Sequence, residues 1–256
     1  MTGRPSSRFV RTAAALSRGV AAVQRQHPAY AGAWHAANLE ALTRPGPRWI
    51  VFGDSMSQGV GATGFDAGWV NQVHRRLGLS ELELPIINLS ASGARVPDLL
   101  RQQLPAWRNL PCAPAAAGSV PPSAEGSVPP ARTGPDLITV LIGSNDLMSR
   151  THRAGLATAF AQLLRQLPDG AVIATMPQPR GAAEDVNALL LKAAARATVT
   201  IADLRSSGPP SWRGRLAADH FHPNDLGYAG IADAFYEPVR QALARRGLAT
   251  TAPPDR

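Results

Sequence analysis

Gly53-Asp54-Ser55-Met56-Ser57 follows directly on the apolar run Trp49–Phe52, with Gly59 and Gly61 close behind. A serine placed where a buried strand turns into a helix can hold its hydroxyl exposed at the carboxyl edge of a sheet. Neighbouring backbone N–H groups can there face a developing oxyanion, so the chemistry that suits Ser55 is nucleophilic attack. The same turn also serves as a plain helix N-cap, with Asp54 or Ser55 satisfying free donors. Far along the chain, Asp219-His220-Phe221-His222-Pro223-Asn224 precedes the last helical stretch. A serine nucleophile needs a base that titrates near neutrality, which histidine supplies, and the imidazole needs an acceptor to fix its tautomer. Asp219 stands three residues before His222, so one tight turn can join carboxylate and ring, whereas His220 is one residue away and points elsewhere. Two other readings of this hexapeptide stay open: a capped helix start, and metal ligation. The lack of Cys or further His at ligand spacing nearby lowers the second.

Gly143-Ser144-Asn145-Asp146 ends the strongest apolar run of the chain, and the Asn145 amide could reach an oxyanion at the same edge. Asn88-Leu89-Ser90-Ala91-Ser92-Gly93 ends another, and the Gly93 N–H could be a further donor. Taken singly, each block is explained by turn chemistry as well as by catalysis.

Taken in order, the four blocks resemble the SGNH hydrolase superfamily, the GDSL esterases and lipases, over about Trp49 to Arg246. The resemblance implies that Ser55 is the nucleophile, His222 the general base and then acid, and Asp219 the residue that orients His222. It implies an oxyanion hole of the Ser55 and Gly93 amides and the Asn145 side chain. It also implies a flavodoxin-like three-layer α/β/α sandwich with a five-stranded parallel sheet. The expected activity is cleavage of a carboxylic ester through an acyl-serine, with neither metal nor organic cofactor. Acyl transfer to an alcohol and removal of O-acetyl groups from carbohydrate use the same triad and remain alternatives. A non-catalytic binding module would be expected to lack Ser55, His222 or Asn145, and all are present. The first block reads GDSM rather than GDSL, a fourth position expected to pack rather than react, and Asp146 is expected to be structural.

The elements that must position these residues can be read from the apolar pattern. Strands are expected at 49–52, 86–89, 137–142, 171–175 and 199–204, and helices at 69–77, 97–104, 154–167, 183–197 and 226–246. Hydrophobic strands alternating with helices indicate a parallel sheet covered on both faces, whose ligands bind at the carboxyl ends of the strands. Met176–Arg180 and Ser57–Phe65 are expected to line the mouth of that site.

The 256 residues suit one large domain, read as a basic N-terminal arm or helix (1–47), a hydrolase domain (48–248) and a loose tail (249–256). Residues 111–135 are rich in Pro, Ala, Gly and Ser, contain GSVPP twice, and are expected to form a mobile insertion. Cys112 is the single cysteine, which excludes an intrachain disulfide and a thiolate cluster. The net charge of +8 is concentrated at the start, where residues 1–48 hold seven Arg against Glu40 alone. The body is thus nearly neutral, and nucleic-acid binding is not expected. Ser17, Arg18 and Gly19 interrupt the apolar stretch 12–23, so no signal peptide is read and a cytoplasmic location is expected. Phe9, Ala13, Leu16, Val20 and Val23 share one helical face, read as packing on the domain. Its small side chains predict at most weak contact with anionic membranes. The expected partner is a small-molecule ester, and no obligate protein partner is evident.

Overall fold

The computed structural model describes residues 17–79, 84–111, 136–177 and 180–248. The five apolar runs form β1 (Trp49–Gly53), β2 (Ile86–Asn88), β3 (Leu137–Leu141), β4 (Ala171–Ala174) and β5 (Val199–Ala202). They lie in the order β2-β1-β3-β4-β5 with every neighbouring pair parallel. The first four are buried at every residue, which is why their sequences are continuous apolar runs rather than alternating ones. The described helices are α1 (Arg18–Leu42), α2 (Ser55–Gln58), α3 (Trp69–Leu77), a rod α4 over 96–108, α5 (Ser144–Leu147), α6 (Arg150–Arg153), α7 (Leu156–Leu164), α8 (Ala182–Ala195) and α9 (Asp225–Ala244).

Residue parity along the strands divides the interior into two cores. Trp49 and Val51 join Trp69 of α3 and Tyr228 and Phe235 of α9 on one face. Ile50 and Phe52 join Leu99, Phe160 and Leu190 on the other. The result is the three-layer α/β/α sandwich expected from the sequence, with the flavodoxin-like strand order. In that order the direction in which successive strands are added reverses between β1 and β3, and the crevice beyond their carboxyl ends is where ligands bind.

Rod α4 is longer than the sequence pattern indicated. A π-helical stretch, Leu99–Gln103, joins Val96–Asp98 to Leu104–Arg108, so the helix runs on past Pro105, which lacks an N–H. Gln103 of the stretch is fully buried, and its amide pairs with both Gly53 backbone groups, at 2.9 and 2.8 Å.

Helix α1 is the element that sequence pattern described least well. Of the expected stripe, Phe9, Ala13 and Leu16 lie outside the described residues, as do positions 112–135 of the insertion and the tail 249–256. Val20 and Val23 open a 25-residue helix that buries Val23, Tyr30, Trp34 and Ala41, so residues 18–42 belong to the folded body. Trp34 joins the β1 core, and Val23 and Tyr30 enclose Val60. The helix also covers one edge of the sheet, at β2. β2 is one of the two edge strands, and the Asn38 amide receives the Asn88 N–H and donates to the Asn88 carbonyl, both at 2.8 Å. An unpaired strand edge is a template for aggregation, and here a helix side chain closes it. Among the described residues no helix is long and apolar enough to cross a membrane.

Gly53 tests how tightly the β1 end is packed. A Cβ there would overlap the Leu141 carbonyl of β3 and the Ser57 hydroxyl. Gly53→Ala is therefore expected to lower unfolding stability by about 1–3 kcal/mol, read from the urea midpoint. An unchanged midpoint would show that the β1–β3 spacing yields more easily than the packing indicates.

Candidate active site

Ser55 is the first residue of α2, directly after β1, and Asp54 caps that helix by accepting the Met56 N–H at 2.9 Å. The cap and the candidate nucleophile are thus adjacent residues of one turn. His222 Nε2 lies 2.8 Å from Ser55 Oγ, across 167 residues of sequence. Its Nδ1 lies 2.6 Å from Asp219 Oδ2. The other Asp219 oxygen accepts the Phe221 and His222 backbone N–H groups at 3.1 and 3.0 Å, so the tight turn expected from the three-residue spacing is built around this carboxylate. Burial pushes Asp219 upward, but the hydrogen bonds and charge of His222 outweigh it and hold the carboxyl below its ordinary value. The helix-start reading of the hexapeptide applies at the same time, because Asn224 caps α9 through the Gly227 N–H. His220 adopts a left-handed backbone conformation with φ 55° and turns to the rim of a neighbouring cavity.

The expectation that the Ser55 hydroxyl is exposed is corrected by the structure. Ser55 is 2% and His222 4% exposed, although both stand at the carboxyl edge of the sheet. The cover comes from α1, whose His27 ring sits 5.2 Å from the His222 ring, and from the loop of Ser90 and Ser92.

Asp54 joins the first and third blocks. It is 1% exposed, and its Oδ2 accepts the Ser144 hydroxyl at 2.7 Å and the Asn145 amide at 3.2 Å. Burial pushes its carboxyl up, against these hydrogen bonds. The second Asn145 N–H is given to the Ala94 carbonyl at 3.1 Å. Asn145 therefore stands where the sequence put it, but both its hydrogens are engaged within the protein. The Ser55 and Gly93 amides have no acceptor among the described residues. Gly93 holds φ +73°, a conformation glycine adopts without strain, and the loop before it is fixed by Ala91 N–H donating to Gly53 O. Among the described residues no group of three or more His, Cys, Asp or Glu side chains is gathered to hold a metal.

Beside the Ser55 turn opens a cavity of about 430 Å³. Met56, Ile142, Leu147, Met148, Met176, Leu204, Trp212 and Phe221 supply most of its wall, and Arg180 adds a cation. Met56, the GDSM departure, therefore packs beside the core and also shapes this space. Met176, Pro177 and Arg180 line it as expected, while Gln178 and Pro179 lie outside the described residues. The expectation for Ser57–Phe65 is not met. Val60 and Phe65 are apolar and bury against Tyr30 and Trp34 of α1 instead.

Sequence reasoning missed the contribution of α1. Gln26 accepts the Gly61 N–H at 2.8 Å and donates to Ala62 O at 2.9 Å, and the Tyr30 hydroxyl donates to the same oxygen. The Trp34 indole donates to Gln58 O at 3.1 Å. A signal exists, since Val23, Tyr30, Trp34 and Ala41 recur at helical spacing, but the stripe read as packing on the domain ends at Val23, the first of them.

A parallel sheet that brings Ser55, His222 and Asp219 into hydrogen-bond contact at its carboxyl edge, with an apolar cavity against Met56 one residue on, is the architecture of an α/β hydrolase. The chain belongs to the GDSL-like lipase/acylhydrolase family, whose model matches residues 51–229, and it is a carboxylic ester hydrolase. No curated relative matches it by sequence. Among solved structures it resembles a Clostridium thermocellum family 3 carbohydrate esterase, with TM-score 0.56 and 19% identity over 78% of this chain and 99% of that one. It also resembles a lipolytic G-D-S-L family member from Veillonella parvula, with TM-score 0.53 and 18% identity over 75% of this chain and 97% of that one. At such identities the likeness carries the fold.

Asp146 offers a test of the site's buried charge. Burial raises its carboxyl to about 6, against the Val96 N–H that it accepts at 3.1 Å. Between the unfolded value of about 4 and this value, the folded protein holds a proton that the unfolded chain releases. Asp146 thus contributes a loss of stability that grows as pH rises through that window and is constant above it. Asp146→Asn keeps an acceptor for Val96 and cannot titrate. The difference in Tm, variant minus wild type, should rise from pH 4 to 6 and then level off. A difference independent of pH would contradict the raised value.

Proposed function

We propose that Ser55 attacks the carbonyl carbon of a carboxylic ester while His222 takes its proton and Asp219 holds the imidazole. The observation that carries this reading is the unbroken relay of 2.8 and 2.6 Å from Ser55 Oγ through His222 to Asp219. The carbonyl electrons move to oxygen, where the Ser55 and Gly93 amides meet the charge, and Asn145 joins them by exchanging its 3.2 Å contact with Asp54. Collapse of the tetrahedral intermediate expels the alcohol, which takes the proton from His222. Water, deprotonated by His222, then attacks the acyl-serine, and collapse releases the acid as His222 returns the proton to Ser55 Oγ.

The apolar cavity beside Ser55 supports an ester with an apolar acyl group of several carbons over an acetylated carbohydrate. Its wall of Met, Leu, Phe and Trp has few partners for sugar hydroxyls. Each buried methylene contributes about 0.8 kcal/mol, or roughly fourfold in kcat/KM. On a p-nitrophenyl ester series, kcat/KM should climb from acetyl to hexanoyl and exceed the rate on acetylated xylose. A preference for the acetylated sugar would transfer the assignment to the carbohydrate reading. Ser55→Ala and His222→Ala should each lower kcat by at least about 10⁴-fold. His220→Ala should stay within about threefold, since His220 touches the cavity rim and not the relay. Comparable losses at both histidines would contradict the choice of base.

A further inference from the structure

Helix α1 lies outside the residues that the family model matches, yet it reaches the centre of the site. His27 Nδ1 is 2.8 Å from Ser92 Oγ, and the next bond fixes the direction of this one. Ser92 has a single hydroxyl hydrogen, given to Gln58 Oε1 at 2.6 Å. The orientation of the Gln58 amide is set in turn by its Nε2, which donates to the Ser90 carbonyl at 3.0 Å. The hydrogen between His27 and Ser92 therefore belongs to His27 Nδ1, and Nε2 keeps the lone pair. Burial, aided by the nearby His222 and opposed by Asp219, lowers His27 to about 4, so this neutral tautomer persists across the neutral range. Ser92 is 6% exposed and immediately precedes Gly93. On the far side of Gly93, the Ala94 carbonyl is held by Asn145.

We propose that His27 is a positioning residue, whose Nδ1–H holds Ser92 and thereby keeps the Gly93 amide where the oxyanion forms. The proposal rests on the reading of Ser55 as nucleophile and Gly93 as oxyanion donor. It gives α1, which lies outside the matched residues 51–229, a part in transition-state stabilisation. A displacement of about 1 Å in a reacting geometry can cost about 10²-fold in rate, and such a loss falls on kcat when the ground-state contacts are unchanged.

The test is steady-state kinetics of the full chain on a soluble short-chain p-nitrophenyl ester, with Tm measured for each variant. His27→Phe keeps a ring against His222 but has no donor, and kcat should fall roughly 10- to 100-fold with KM within about twofold. His27→Asn returns an N–H near the Nδ1 position and should recover kcat to within about threefold of wild type. Ser92→Ala removes the acceptor at the other end and should match His27→Phe, with the double variant no worse than either single one. If His27→Phe does not fold, the Ser92→Ala and His27→Asn pair decides by the same criteria. Unchanged kcat in His27→Phe, a rise in KM alone, or equal losses in the Phe and Asn variants would each overturn the proposal. Ser55→Ala measured alongside separates the two levels. Activity surviving there would remove the nucleophile reading itself, whereas an inactive Ser55→Ala beside an unaffected His27→Phe would remove only the role of His27.

Discussion

Asp54 sits between the ends of β1 and β3 with 1% of its surface exposed, and three donors converge on it. The Met56 N–H starts α2, the Ser144 hydroxyl starts α5, and the Asn145 amide comes from the same β3 turn. A buried carboxylate is tolerated only where its oxygens are satisfied, so the two turns must meet in this one arrangement. The meeting point is also where the strand order reverses, which leaves a crevice beyond the strand ends. Ser55 and Asn145 share an edge because each is bonded to, or adjacent to, that carboxylate. Gln103 adds a second restraint by taking both backbone groups of Gly53, the residue just before it.

The histidine side of the relay is organised by a different carboxylate. Asp219 receives two backbone N–H groups and the His222 ring, so the turn that carries the base is folded around the group that orients it. Phe221 stands between the two histidines of the loop, packs edge to face on His222 at 4.9 Å, and lines the cavity. Substrate space and base orientation are therefore coupled through one short loop. Helix α1 closes the remaining side, where its amide and hydroxyl groups satisfy backbone around Gly61, Ala62 and Asn88. Burial of the relay is consistent with the need to keep hydrogen bonds strong in a water-poor site.

Much of this arrangement could be read from the sequence because it is local or repetitive. Strands buried on both faces announce themselves as apolar runs such as Leu137–Leu141, and turn residues such as Gly53-Asp54-Ser55 mark where the runs stop. The pairing of Asp219 with His222 follows from three-residue spacing. The distant contacts were less accessible. Ser55 and His222 are 167 residues apart, and only the resemblance of the four blocks joined them in advance. His27 to Ser92 spans 65 residues, with no block to mark either end. The engagement of Asn145 with Asp54 and Ala94 depends on side-chain geometry that residue order does not encode. Helix α1 was obscured by Pro28 within it, which interrupts the periodic signal between Val23 and Tyr30.

Covalent trapping of the nucleophile tests the central claim most directly. A fluorophosphonate reacts with an activated serine hydroxyl and leaves a stable phosphonyl ester on Oγ, which peptide mass mapping can place. The relay predicts one adduct per chain, carried by Ser55, formed quickly in the wild type and suppressed in His222→Ala. Ser57, Ser90, Ser92 and Ser144 lie buried or half-buried close by and serve as internal controls, because none of them is bonded to the His222 ring. An adduct on any of those four, or ester hydrolysis that survives without labelling of Ser55, would contradict the account.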